Sequence, residues 1–171
     1  MRRLSLLGTA IPVLALAFAS FSSLPKKIIY NASESAPIGF YWVDQERVSR
    51  GDYVFVRLPE RVHKLVAERR YLPPDVPLIK RVVGVEGDKI CRRGQEILID
   101  GMTAAVAQMR DGQGRELPKW QGCHILTQNN IFLLQDHPHS FDSRYFGPVD
   151  RSLIIGRATR LRFLWRKREQ G

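Results

Sequence analysis

The chain has 171 residues, 44% hydrophobic and 26% charged, with 27 Lys plus Arg against 17 Asp plus Glu. That length suits one domain with a single sizeable core, and the composition excludes a disordered protein. A net charge of +10 would suit a nucleic-acid partner if it were gathered on one folded surface. It is not. Residues 1–27 hold +4, residues 28–150 balance sixteen bases against sixteen acids, and residues 151–171 hold +6. A neutral body with basic ends argues against direct nucleic-acid binding and for contact with a membrane surface.

From Leu4 to Leu24 the chain runs 21 residues without a charge, between Arg2-Arg3 and Lys26-Lys27. As a helix rising ~1.5 Å per residue, this stretch just crosses a hydrocarbon core of about 30 Å. Two readings compete, a retained anchor and a signal sequence cut near Ala15-Leu16-Ala17 or Ala17-Phe18-Ala19. The apolar run continues past both sites, which favours the anchor, and Pro12 counts against a buried core helix. The expected organisation is therefore a membrane segment over residues 1–27 and a β-rich domain over residues 28–171. Either reading carries that domain across the membrane.

The strands expected next are Phe40–Val43, Tyr53–Leu58, Leu78–Val85, Ile97–Ile99, His124–Thr127, Ile131–Leu134 and Leu153–Leu164. Residues Asp88–Gly101 read as a hairpin turning near Gly94. One helix is predicted over Glu60–Tyr71: it follows Pro59, spaces Val62, Leu65, Val66 and Arg69 helically, and meets Pro73-Pro74. Residues 102–122 read as a surface insertion turning at Asp111–Gly114. The fold class is mainly β, with one inserted helix and one membrane helix. Cys91 and Cys123 stand 32 apart without a C-x-x-C pair, which argues against zinc and thioredoxin-like chemistry. One disulfide in an exported domain and two buried thiols both stay open.

Three segments hold residues that composition does not demand. Asn31-Ala-Ser33-Glu-Ser35-Ala-Pro37-Ile-Gly39-Phe-Tyr41 would alone pass for a linker. In Leu78-Ile-Lys80-Arg81-Val-Val-Gly84, strand alternation sends Lys80 and Arg81 to opposite faces, so one points inward. A buried lysine sheds its proton readily and can serve as general base for a serine hydroxyl; a surface lysine with a packed stem is the commoner fate. Asp136-His-Pro-His-Ser140-Phe-Asp142-Ser143-Arg144-Tyr-Phe-Gly147 is dense in groups that orient one another. His137 and His139 lack a third ligand for a metal site, and the lysine strand offers a better base than either. His63 and His124 read as surface or core fillers.

Taken in this order, the segments resemble the serine–lysine peptidases of the signal peptidase I family. Lys80-Arg81-Val82-Val83-Gly84 with Gly87-Asp88 is similar to the family's lysine box, and Ser140-Phe-Asp142-Ser143-Arg144-Tyr-Phe-Gly147 to its late box. The Ser35-x-Pro37-x-Gly39-x-Tyr41 form resembles the TraF-type peptidases of conjugative transfer systems. Gln135-Asp136-His137-Pro138 stands where leader peptidases read Gly-Asp-Asn-Arg.

The resemblance implies a signal peptidase-like antiparallel β catalytic domain behind a single membrane helix. It implies Ser35 as nucleophile, Lys80 as general base and Asp142 as a required partner, with Ser33 at the oxyanion hole. Ser140 would orient the lysine, and Arg144 would pair with Asp142. The implied activity is maturation of a conjugative pilin precursor by acyl transfer, with water or the pilin's own amino terminus releasing the acyl group. No cofactor and no metal are called for. The implied place is the inner membrane with the catalytic domain on the periplasmic side, or the periplasm if the leader is cut. A general leader peptidase and a non-catalytic membrane-anchored scaffold are the competing functions. A self-cleaving repressor would need a DNA-binding domain where the membrane segment stands.

Overall fold

The computed structural model describes residues 28–34, 36–73 and 76–161. The expected membrane segment, Ser35 and the residues after Leu161 lie outside that set. Among the described residues, no helix is long and apolar enough to cross a membrane.

The elements are β1 (Ile28–Asn31), β2 (Gly39–Asp44), β3 (Tyr53–Val56), α1 (Glu60–Glu68), β4 (Leu78–Gly84), β5 (Lys89–Arg93) and β6 (Glu96–Ile99). They continue with β7 (Met102–Val106), β8 (Gly122–Ile125), β9 (Asn130–Leu134), the short turn α2 (Ser143–Phe146), β10 (Val149–Asp150) and β11 (Ile154–Arg160). One sheet of seven strands runs β1-β2-β11-β3-β4-β9-β10, and one of four runs β7-β6-β5-β8. Every strand pair is antiparallel. The mainly β class is as expected, and the expected strands match the observed ones to within two residues at each end, except that Leu153–Leu164 runs past Arg160 and beyond the described residues.

Val62 and Val66 on one face of α1 pack with Val54, Val56, Val82, Leu133 and Phe146 in the main core. Each such burial is worth about 1.5–3 kcal/mol, which holds the helix on the large sheet. The helix ends at Glu68 rather than Tyr71. Arg70 adopts φ 53°, and the Arg70 and Tyr71 N–H groups return to the carbonyls of Ala67 and Val66. That is a Schellman stop built on a non-glycine residue.

Three features depart from expectation. Ile28–Asn31 forms a strand, pairing Ile28 with Trp42 and Tyr30 with Phe40. Residues 102–122 are more than a surface insertion: Met102–Val106 is a strand on β6, and Trp120 packs against Phe132. Arg157, counted in the basic end taken to suit a membrane surface, is instead held by Asp44 at 3.2 Å and Glu46 at 2.6 Å. In the smaller sheet, Cys91 and Cys123 are opposite one another on β5 and β8 and form a disulfide, with Cα atoms 4.0 Å apart.

Candidate active site

β4 is hydrogen-bonded on both edges, to β3 and β9, and at its start both faces are covered. Lys80 sits there 3% exposed, while Arg81 points to solvent. Burial disfavours the ammonium and pulls the Lys80 pKa from 10.5 to about 8; Asp142 opposes that fall and Arg144 adds to it. Lys80 Nζ donates to Ser140 Oγ at 2.6 Å. An amine that is neutral in part near pH 8, and fixed by a hydroxyl, has the properties of a general base.

Ser140 arrives on a loop braced by an ion pair. Asp142 is fully buried and Arg144 is 3% exposed. The Asp142 carboxylate accepts from Arg144 Nε and Nη2, both at 2.9 Å, and from the Gln135 N–H at 3.0 Å. Arg144 Nη2 also donates to the Gln135 carbonyl at 2.5 Å. Both charges thus spend their remaining hydrogen-bonding capacity on loop backbone, as a buried pair requires. Ser143 Oγ accepts the Leu133 N–H at 3.1 Å, tying the loop to β9. Gly147 closes α2 at φ 73°, where a Cβ would be strained and would meet the Trp120 ring at 3.4 Å.

The histidines have local duties. His137 Nδ1 accepts the His139 N–H at 3.2 Å, and His139 Nδ1 meets the Gln108 carboxamide at 3.0 Å. Among the described residues, no three His, Cys, Asp or Glu side chains gather as a metal site would need.

Lys80, Ser140 and Ser33 open on one cavity of roughly 750 Å³. Its walls come from β1 and the loop after it, from β4, from Tyr71 and Leu72 beyond α1, and from Phe141 and Tyr145. Gln108, Asp111, Gly112 and Leu117 complete it, so the insertion is a wall of the cavity. It is fastened at both ends. Tyr145 Oη accepts the Gln108 N–H at 3.1 Å, and Tyr71 Oη donates to Asp111 at 2.6 Å.

The backbone on either side of position 35 is laced by Asn31. Its Nδ2 donates to the Ser33 carbonyl at 2.9 Å and the Ala36 carbonyl at 3.0 Å, and its Oδ1 accepts the Ser33 N–H at 3.2 Å. Tyr41 Oη donates to the Pro37 carbonyl at 2.7 Å, which gives the Tyr of the Ser35-x-Pro37-x-Gly39-x-Tyr41 pattern a physical task.

The family model described as signal peptidase, peptidase S26, matches residues 1–164. The chain belongs to the signal peptidase family. It is 33% identical over 136 residues to the plasmid transfer protein TraF of Escherichia coli, covering 73% of this chain and 77% of that one. With the conjugal transfer protein TraF of Agrobacterium fabrum (strain C58) it shares 32% over 139 residues, 75% of this chain and 78% of the other. It is also 34% identical over 122 residues to the mitochondrial ATP-independent inner membrane protease subunit 1b of Arabidopsis thaliana, covering 71% and 51%.

In this signal peptidase-family chain, the fold brings Lys80, Ser140, Asp142 and Arg144 together and sets Ser33 on the same cavity. Asn31, Gln135, Ser143 and the Gln108–Leu117 wall escaped sequence reasoning. Asn31 could have been found, since an Asn before a Ser/Pro turn is a common backbone clasp. Gln135 and the wall act on partners far along the chain, and Ser143 on the N–H of Leu133 in the preceding strand; none leaves a local signal.

Proposed function

We propose that this chain is a membrane-anchored serine endopeptidase that uses a Ser35–Lys80 dyad to mature a conjugative pilin precursor by acyl transfer. The observation that carries the reading is Lys80: buried, shifted toward neutrality, held by Ser140 and facing the cavity that Ser33 lines two residues before Ser35. The TraF relatives, named for plasmid and conjugal transfer, supply the setting.

Neutral Lys80 takes the Ser35 hydroxyl proton as Oγ attacks the scissile carbonyl. The tetrahedral oxyanion receives hydrogen bonds from the Ser33 hydroxyl and the Ser35 N–H, each such donor being worth about 3–4 kcal/mol of barrier. Collapse breaks the C–N bond, and the Lys80 ammonium returns its proton to the departing amine. The acyl-enzyme is then opened by water, or by the pilin's own amino group to give a ring, with Lys80 again taking the proton. Asp142 and Arg144 hold Ser140 in place and tune the charge around the amine.

The anchor places this chemistry at the periplasmic face of the inner membrane. The outer face of β1 and β2 supports that placement: Ile28, Tyr30, Phe40 and Trp42 are 53, 57, 45 and 37% exposed, directly after Lys26-Lys27. Aromatic and aliphatic side chains beside a basic pair suit the headgroup level.

Ser35→Ala and Lys80→Ala are each expected to abolish pilin processing while leaving protein level and membrane fraction unchanged. Intact mass of the co-expressed pilin reads the result, a ring being one water lighter than the linear product. Activity surviving in Ser35→Ala but lost in Ser33→Ala would move the nucleophile to Ser33. Activity surviving in Lys80→Ala would end the dyad reading.

A further inference from the structure

β9 stops at Leu134 although its partner β4 continues to Leu78. The last pair in the ladder nearest the site is Arg81 with Leu134, so a continuing register would set Lys80 against Gln135. It does not continue because the Gln135 backbone is engaged elsewhere. Its N–H goes to Asp142 Oδ2 at 3.0 Å, and its carbonyl accepts from Arg144 Nη2 at 2.5 Å. The chain thereby peels away from β4, and the loop that follows brings Ser140 back to Lys80.

The gap leaves the Ile79 carbonyl without a strand partner on that side. Gln135 fills the vacancy with its side chain, Nε2 donating to the Ile79 carbonyl at 3.0 Å. Gln135 is 6% exposed, so water is a poor substitute and the lost bond would be costly. One residue thus grips the strand that carries the amine and, through its backbone, the ion pair that carries Ser140. A glycine at this position would have no side chain for the first of these bonds.

We propose that Gln135 is a positioning residue for the acyl-transfer reaction. Its carboxamide spaces β4 from the late loop so that Lys80 Nζ stays buried against Ser140 Oγ. The inference rests on the Ser–Lys reading and deepens it.

Gln135→Met keeps the length of the side chain and removes the donor. Assayed as the full chain in detergent, on the purified pilin precursor, it is expected to lower kcat roughly tenfold to a hundredfold with KM unchanged. The alkaline rise of kcat should also move to higher pH, because a loosened amine regains water and its pKa climbs back toward 10.5. Asp142 and Arg144, the charges that act on that amine, are present in the variant. Gln135→Asn, whose amide falls one methylene short, should show the same two changes more mildly.

Native kcat with a native alkaline rise in both variants overturns the proposal. So does a lower kcat with an unmoved alkaline rise, which would mark a packing role only. Lys80→Met assayed alongside separates the two levels. If it stays active, the Ser–Lys reading falls; if it is dead while Gln135→Met behaves as native, only the role of Gln135 falls.

Discussion

Two carboxylate–guanidinium clusters brace the loops that line the cavity, and they differ in almost everything except their chemistry. In the late loop, the side chains of Asp142 and Arg144 are 0% and 3% exposed. In the insertion, Asp111 meets Arg115 at 2.7 Å and Arg69 at 4.0 Å, with the two arginines 34% and 22% exposed. Asp111 is 9% exposed but its arginines reach solvent, so water and salt screen the second cluster in part and each member costs less to lose. The first has no such reserve. Each of its charges is tolerable only because the other is present. The pair that shapes the base is therefore the fragile one, and the pair that shapes the cavity wall is robust.

The largest effect that tests this contrast is expected from Asp142→Ala. It leaves the Arg144 guanidinium buried without its partner and should cost about 3–5 kcal/mol, seen as a fall in the urea midpoint. It should also act on the reaction. Asp142 holds the Lys80 pKa up, so its loss should start the alkaline rise of kcat at lower pH in whatever fraction remains folded. A stability close to native would mean the pair is more hydrated than its burial indicates, and the contrast would collapse.

A smaller effect follows from Lys80 itself. Its pKa is lowered in the fold, to about 8 from 10.5. Below pH 8 the cost of burying the ammonium is borne in full. Between pH 8 and 10.5 the folded chain gives up the proton before the unfolded chain does, so stability rises with pH, by about 3 kcal/mol at most. Subtracting the urea-derived stability curve of Lys80→Met isolates this rise. A difference curve that is flat across that window would show an amine already in contact with water.

The sequence carried the site further than it carried the surroundings. Alternation in β4 required one of Lys80 and Arg81 to face inward, and the resemblance chose Lys80, which is the buried one. The strands were readable because Val, Ile, Leu and Phe recur between Gly and Pro breaks. β1 was not, since Ile28–Tyr30 follows Lys26-Lys27 and reads as the margin of the membrane segment. The helix end was missed because Arg70 takes a left-handed conformation that sequence rules assign to glycine. The cavity wall and Gln135 depend on contacts such as Tyr71 with Asp111 and Gln135 with Ile79, 40 and 56 residues apart. Nothing in a local pattern announces such partners.

The smallest effect belongs to the half-buried cluster around Asp111. The Tyr71 hydroxyl, before the Arg115 contacts, holds the Asp111 carboxyl well below the usual carboxylate range. A carboxyl lowered in this way contributes stability above the ordinary Asp pKa of about 4, and that contribution is lost as pH falls through the folded value. Asp111→Asn should therefore lower the melting temperature slightly at neutral pH and remove part of its acid dependence, the two chains converging as pH falls. The neutral-pH difference should shrink further in 1 M salt, where the Debye length is about 3 Å. Because Arg69 still holds the Glu116 carbonyl and Tyr145 the Gln108 N–H, the wall stays fastened and kcat should stay native. A large loss of kcat, insensitive to salt, would mean that the outer cluster is coupled to the amine after all, and that exposure alone does not divide the two.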